Sequence, residues 1–185
     1  MSNICGIDDG WRLSDCDGIG GIKRVYFGNW ERLEATFDVA GLKVIEDIVK
    51  AIGTGPIEIY EVEQEQEWAG AEGVGVHNRE NDTSHVVDNL TIKLSNLTPE
   101  TNAVVRSYRR SRVFAIVEGQ NDQFYFYGLV NPGKASESTT NLGTTFEDMN
   151  GSEITFEFKS KDGMYNMDGD LIDDPLKFDI VNSVS

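Results

Sequence analysis

At Val113 the spacing of apolar positions changes from helical to strand-like, and the chain reads outward from that point. Upstream, Thr98 suits an N-cap, Pro99 sits where a first helical residue tolerates a missing N–H, and Glu100 complements the positive helix end. Ala103, Val104 and Tyr108 then give a modest apolar face against Arg106, Arg109 and Arg110, which predicts a helix over 98–110. From Val113 the period is two. Val113-Phe114-Ala115-Ile116-Val117 runs into Gly119-Gln120-Asn121-Asp122, and Phe124-Tyr125-Phe126-Tyr127 runs back, a strong hairpin signal. Phe114 and Ile116 share a face, as do Phe124 and Phe126, and all four are expected in the core.

Similar alternation recurs on both sides of this hairpin. Ile22-Lys23-Arg24-Val25-Tyr26-Phe27 reads as a strand, and Leu33, Ala35, Phe37 and Val39 share one face of a second. Val44, Ile45 and Ile48 also fit helical spacing, but the Val and Ile content and the bracketing Gly41 and Gly53 favour a strand. Gly53-Thr54-Gly55-Pro56 breaks the chain before an extended run from Ile57 to Val62. The stretch 68–82 is Gly-rich and charged and reads as a mobile loop. Leu90-Thr91-Ile92-Lys93-Leu94 and Ile154-Thr155-Phe156-Glu157-Phe158 alternate cleanly, and Leu176, Phe178 and Ile180 form a closing strand. Residues 1–20 read as an irregular arm anchored by Trp11, followed by one β-rich domain over 21–185 with a single helix. The arm and the segment 68–84 are expected to order on assembly.

Charge changes the picture. The chain has 32 acidic and 16 basic residues, a net charge of -16, which disfavours a conventional nucleic-acid reader. Solubility is the plain explanation, and the sharper one is a surface that repels a polyanion. Glu61, Glu63, Glu65 and Glu67 fall at alternate positions, so a strand would set all four on one face, either solvated or lining a channel, with Glu58 on the other. No apolar run approaches the roughly 20 residues of a bilayer span, and the start has no signal-like core, so cytoplasmic synthesis is expected.

Candidate chemistry is sparse. Cys5 and Cys16 are spaced for a loop-closing disulfide, which a cytoplasmic product would normally leave reduced, and with His77 and His85 they match no compact metal motif. Asn166, Asp168 and Asp170 open like a calcium loop, but Leu171 stands where Gly is required and Lys177 where Glu is, so a polar turn is expected. No phosphate loop, nucleophile elbow or zinc-protease motif occurs. No cofactor, metal or catalytic residue is assigned, and an enzyme is not expected.

Three features together resemble the small tail tube-like virion proteins of tailed bacteriophages, of the type associated with Bacteroidetes hosts. They are Cys5 and Asp15-Cys16 leading to Gly20-Gly21-Ile22-Lys23; the helix bearing Arg106-Ser107-Tyr108-Arg109-Arg110-Ser111-Arg112 running into Val113-Phe114-Ala115; and Phe124-Tyr125-Phe126-Tyr127-Gly128 followed by Glu147-Asp148-Met149-Asn150-Gly151 and Ile154-Thr155-Phe156. The resemblance implies a β-sandwich or barrel of antiparallel strands flanked by one α-helix. It further implies a virion protein whose copies form stacked hexameric rings around a DNA channel, with tape measure and sheath or terminator proteins as further partners. Related terminators and baseplate rings share the pattern. On this reading Glu61, Glu63, Glu65 and Glu67 are candidate lumen residues, and Trp11, Arg106, Arg109 and Arg110 are candidate contacts between subunits. The alternative is a β-sandwich module binding carbohydrate or a host surface, with Trp11, Trp30 and Trp68 as stacking faces.

Overall fold

In the computed structural model of this chain every residue of one strand, Val113–Gly119, is buried, and the architecture follows from what lies on its two faces. The structure describes residues 20–38, 43–64, 69–78, 80, 83–143 and 150–181. In chain order the elements are β1 (Ile22–Asn29), β2 (Leu33–Phe37), β3 (Ile45–Lys50), β4 (Ile57–Glu63), β5 (Gly70–Asn78) and β6 (Thr83–Ser95). Then come α1 (Pro99–Arg110), β7 (Val113–Gly119), β8 (Phe124–Tyr127), β9 (Lys134–Asn141), β10 (Gly151–Ser160), β11 (Tyr165–Met167), a 3-10 turn at Gly169–Leu171 and β12 (Phe178–Val181). The fold is mainly β with one helix, as expected. Its strands form an eight-stranded sheet in the order β12-β4-β1-β7-β8-β11-β3-β2 and a four-stranded sheet in the order β5-β6-β10-β9.

The eight-stranded sheet curls on itself. Ile45 and Ile48 of β3 share one apolar cluster with Ile57 and Ile59 of β4, although the two strands stand well apart in the sheet order. Lys177, at the entry to β12, reaches Asp47 of β3 as an ion pair across the same closure. Phe114 and Ile116 of β7 point into this rolled interior, where Phe114 stacks on Phe126 with centroids 5.4 Å apart. Val113, Ala115 and Val117 point the other way, onto Leu90 and Ile92 of β6 and Ile154, Phe156 and Phe158 of β10. A continuous apolar run, rather than simple alternation, is what a strand between two cores requires. The expectation for Phe114, Ile116 and Phe126 is met with all three fully buried, while Phe124 is half-buried at the cluster's edge.

The helix begins as predicted, with Thr98 Oγ1 accepting from the Thr101 N–H at 3.2 Å. Its buried stripe differs. Ala103 and Val104 are exposed, and Val105 is the buried apolar residue, with Tyr108 set against Phe27 and Phe156. Thr101, Val105 and Tyr108 follow the 4-then-3 step of a helix face, and Val104 sits beside that line.

Three further readings need correction. The expected loop at 68–82 is a strand over Gly70–Asn78, paired with β6 from Gly70↔Thr91 to Asn78↔Thr83. Its three glycines carry no packing side chains, so it forms through backbone pairing alone, and every residue of it is exposed. The closing strand starts only at Phe178. Leu176 stands before it, highly exposed, where the chain turns with its N–H on Asp174. The alternation of Leu33, Ala35 and Phe37 is interrupted by a bulge between Thr36 and Phe37, leaving Phe37 at the rim against Tyr165. Val39 lies outside the described residues.

Candidate functional site

The polar residues with the most structure around them sit where β4, β1 and β7 run side by side. Glu61 pairs in register with Tyr26, and Tyr26 with Ile116; Glu63 pairs with Arg24, and Arg24 with Glu118. The expected sharing of a face by Glu61 and Glu63 therefore holds for these two, at the end of the rolled interior. A register shift between Ile22 and Arg24 brings Lys23 round as well. Lys23 Nζ holds the buried Glu118 carboxylate at 2.7 Å and Asp122 at 3.1 Å, and Arg24 Nε lies 3.8 Å from Glu118 and 3.5 Å from Glu61. The Glu118 hydrogen bond, then that to Asp122, holds the Lys23 ammonium above its ordinary range. Two cations around one buried carboxylate form a structural clamp, and the Tyr26 hydroxyl adds a hydrogen bond with Arg24.

Glu61 is thus half-buried and ion-paired, whereas Glu58 and Glu63 are exposed. Glu65, Glu67, Trp11 and Trp68 lie outside the described residues, as do Cys5 and Cys16. His77 pairs with Ser84 and His85 with Val76, so register puts the two rings on opposite faces of the β5–β6 hairpin. Among the described residues no three His, Cys, Asp or Glu side chains gather as a metal site, and no helix is long and apolar enough to cross a membrane. Trp30 is an internal anchor, its indole N–H donating to the Gly128 carbonyl at 3.1 Å.

A groove of about 870 Å³ runs between α1 and the C-terminal ends of β4 and β12. Val62, Leu94 and Tyr108 line it among polar neighbours, with Tyr60, Val104 and Val181 as its exposed apolar members. Burial raises the Tyr108 phenol to about 12, so that hydroxyl stays neutral. Among the described residues its lining holds neither histidine nor cysteine, and its charged members are Glu61, Glu63, Lys93 and Glu100.

The four-stranded sheet offers a different surface. β5 and β9 are its outer strands, and neither has a further partner among the described residues. Its core face covers β7, while its outer face is polar, with Thr91 and Thr155 hydrogen-bonded across strands and the ion pairs Lys93–Glu153 and Lys159–Glu157. Val74 and Val76, both exposed, add an apolar spot at the β5 edge.

The arginines are distributed unevenly. Arg109 is tied to β9, with Nε on Ser138 Oγ at 2.8 Å and Nη2 on Thr140 Oγ1 at 3.1 Å. Arg106, Arg110 and Arg112 are exposed with no carboxylate partner among the described residues. The Arg112 carbonyl accepts from the Trp30 N–H at 2.8 Å, which brings the β1–β2 connection and its exposed Arg32 alongside. Residues 98–112 point to the helix arginines from sequence spacing alone. Arg32 joins them only through that tertiary hydrogen bond, and no local signal marks it. No protein-family model matches the chain, and no curated protein matches it either.

Proposed function

We propose that the chain is a structural, self-assembling subunit of a phage tail tube or a related tail ring, through which DNA passes without specific binding. The observation that carries this reading is the four-stranded sheet, whose outer strands β5 and β9 have no further strand partner among the described residues and whose outer face is polar. Unpaired strand edges are templates for further strands, so copies of this sheet side by side would continue one another. The strand pattern with a single helix ahead of the β7–β8 hairpin agrees with the resemblance, and the net charge of -16 suits a wall that DNA must not stick to. Within this reading Glu63 and Glu58 are the accessible carboxylates of β4, and Glu61 also holds Arg24. Tape measure and sheath or terminator proteins would be its other partners, and the virion its place of action.

Electron microscopy of the purified chain, with size-exclusion chromatography, tests the proposal: rings or tubes are expected, and discrete monomers at all concentrations would refute it. Glu63→Lys is the cleaner probe of the wall, because Glu61→Lys would also set a third cation beside Arg24. Slower DNA ejection from tubes that still assemble is the expected result. The groove between α1 and β4 favours one other reading, a non-enzymatic binding module for carbohydrate or a host surface. A glycan array positive for a monomeric protein would support that alternative.

A further inference from the structure

We propose that Arg106, Arg110 and Arg112, joined by Arg32, dock the acidic turn at 168–174 of a second copy of this chain. This rests on the reading of the chain as a self-assembling subunit, and it adds which two surfaces meet. In a protein with twice as many acidic as basic residues, intramolecular partners for a cation are plentiful. Six of the eight lysines use them: Lys23, Lys43, Lys50, Lys93, Lys159 and Lys177 each hold a carboxylate, and among the described residues Lys134 and Lys161 do not. Among the described residues the arginines of the helix end hold none, although a planar guanidinium is the better carboxylate ligand. Arg106 and Arg110 stand one helical turn apart on the exposed side of a helix that Arg109 pins to β9. Arg112 follows the helix, and its carbonyl accepts from the Trp30 N–H, two residues from the exposed Arg32.

The complementary surface is equally unsatisfied. Asp168, Asp170, Asp173 and Asp174 make no ion pair among the described residues, and Asp168 and Asp174 serve only backbone N–H groups nearby. Their turn is firmly seated, because Leu171 and Ile172 are buried in the rolled sheet. Among the described residues no ion pair joins the two surfaces. Because they differ, contact between them is head-to-tail and propagates into a ring or a filament rather than closing as a symmetric pair. Nucleic acid is the poorer occupant, since the overall negative field repels a polyanion before it reaches four arginines.

Sedimentation velocity on the full chain from about 0.05 to 0.5 M NaCl tests the proposal, a span over which surface charge becomes strongly screened. Wild type is expected to form assemblies that salt weakens. Arg106→Glu with Arg110→Glu, and separately Asp170→Arg with Asp173→Arg, should each weaken association about tenfold or more. The four changes together restore it. Both pairs are exposed, so unchanged circular dichroism is expected, and Arg106→Gln with Arg110→Gln provides a milder pair if the reversal unfolds the chain. A wild type that stays monomeric overturns the self-assembly reading itself. Assemblies indifferent to either reversal, or a loss that the fourfold swap fails to restore, overturn this pairing alone. Labelled duplex DNA that binds wild type and is lost on reversal of the arginines would assign the surface to nucleic acid instead.

Discussion

The side chain of Gln64 hydrogen-bonds both backbone groups of Lys93: its Oε1 accepts from the Lys93 N–H at 3.0 Å, and its Nε2 donates to the Lys93 carbonyl at 3.1 Å. A side-chain amide here reproduces the pairing of a neighbouring strand and ties the end of β4 to β6, one sheet to the other. Gln64→Leu should therefore cost about 1–3 kcal/mol, because two partly buried backbone groups lose their partners. Urea denaturation would show a lower midpoint with unchanged slope, and an unchanged midpoint would mean that water replaces the amide without loss.

Phe126 fills the rolled interior against Phe114. Truncation of a fully buried Phe removes its transfer energy and leaves a cavity, so Phe126→Ala should destabilise by about 3–5 kcal/mol. Thermal melting is the check. Phe124→Ala, at the half-buried edge of the same cluster, should cost distinctly less.

Gly28 tests packing from the opposite direction. A Cβ at this position would lie 2.0 Å from Phe114 Cζ, and that ring is fully buried with no room to retreat. Gly28→Ala should cost about 1–3 kcal/mol through overpacking, and Gly28→Ala with Phe114→Leu should recover part of the loss. Equal melting temperatures for Gly28→Ala and wild type would show that β1 can shift outward.

Asp88 gives a pH dependence. Its carboxyl is buried on the core face of β6 against Gly73, and burial raises it above its ordinary range. A raised carboxyl binds its proton more tightly in the folded than in the unfolded chain. Its ionisation therefore penalises folding fully above the folded-state value, and the penalty fades as pH falls toward the ordinary value of 3.8. Asp88→Asn should melt higher than wild type at pH 7, with the gap narrowing on acidification. A constant gap between pH 7 and pH 4 would assign the difference to hydrogen bonding instead.

Local order along the chain was enough to identify the elements whose side chains carry the signal. Thr98-Pro99-Glu100 specifies a helix start because a cap and a fixed proline φ act within one turn, and the runs at 113–117 and 124–127 specify a hairpin because apolar period and turn residues agree. The shared face of Glu61 and Glu63 likewise follows from period two. Tertiary structure decided the rest, for reasons that no local window contains. Gly70, Gly73 and Gly75 oppose a strand by propensity, and β5 exists because β6 offers it a full backbone ladder. Val105 rather than Val104 is buried because the helix lies across Phe27 and Phe156, which arrive from β1 and β10. Lys23 and Arg24 both reach Glu118 because a bulge undoes their alternation. Trp30 meets Arg112 through one backbone hydrogen bond between residues distant in sequence, and Arg32 stands two residues from that contact. Spacing sets which way a side chain faces along its own element; which element it then faces depends on how the two sheets close over β7.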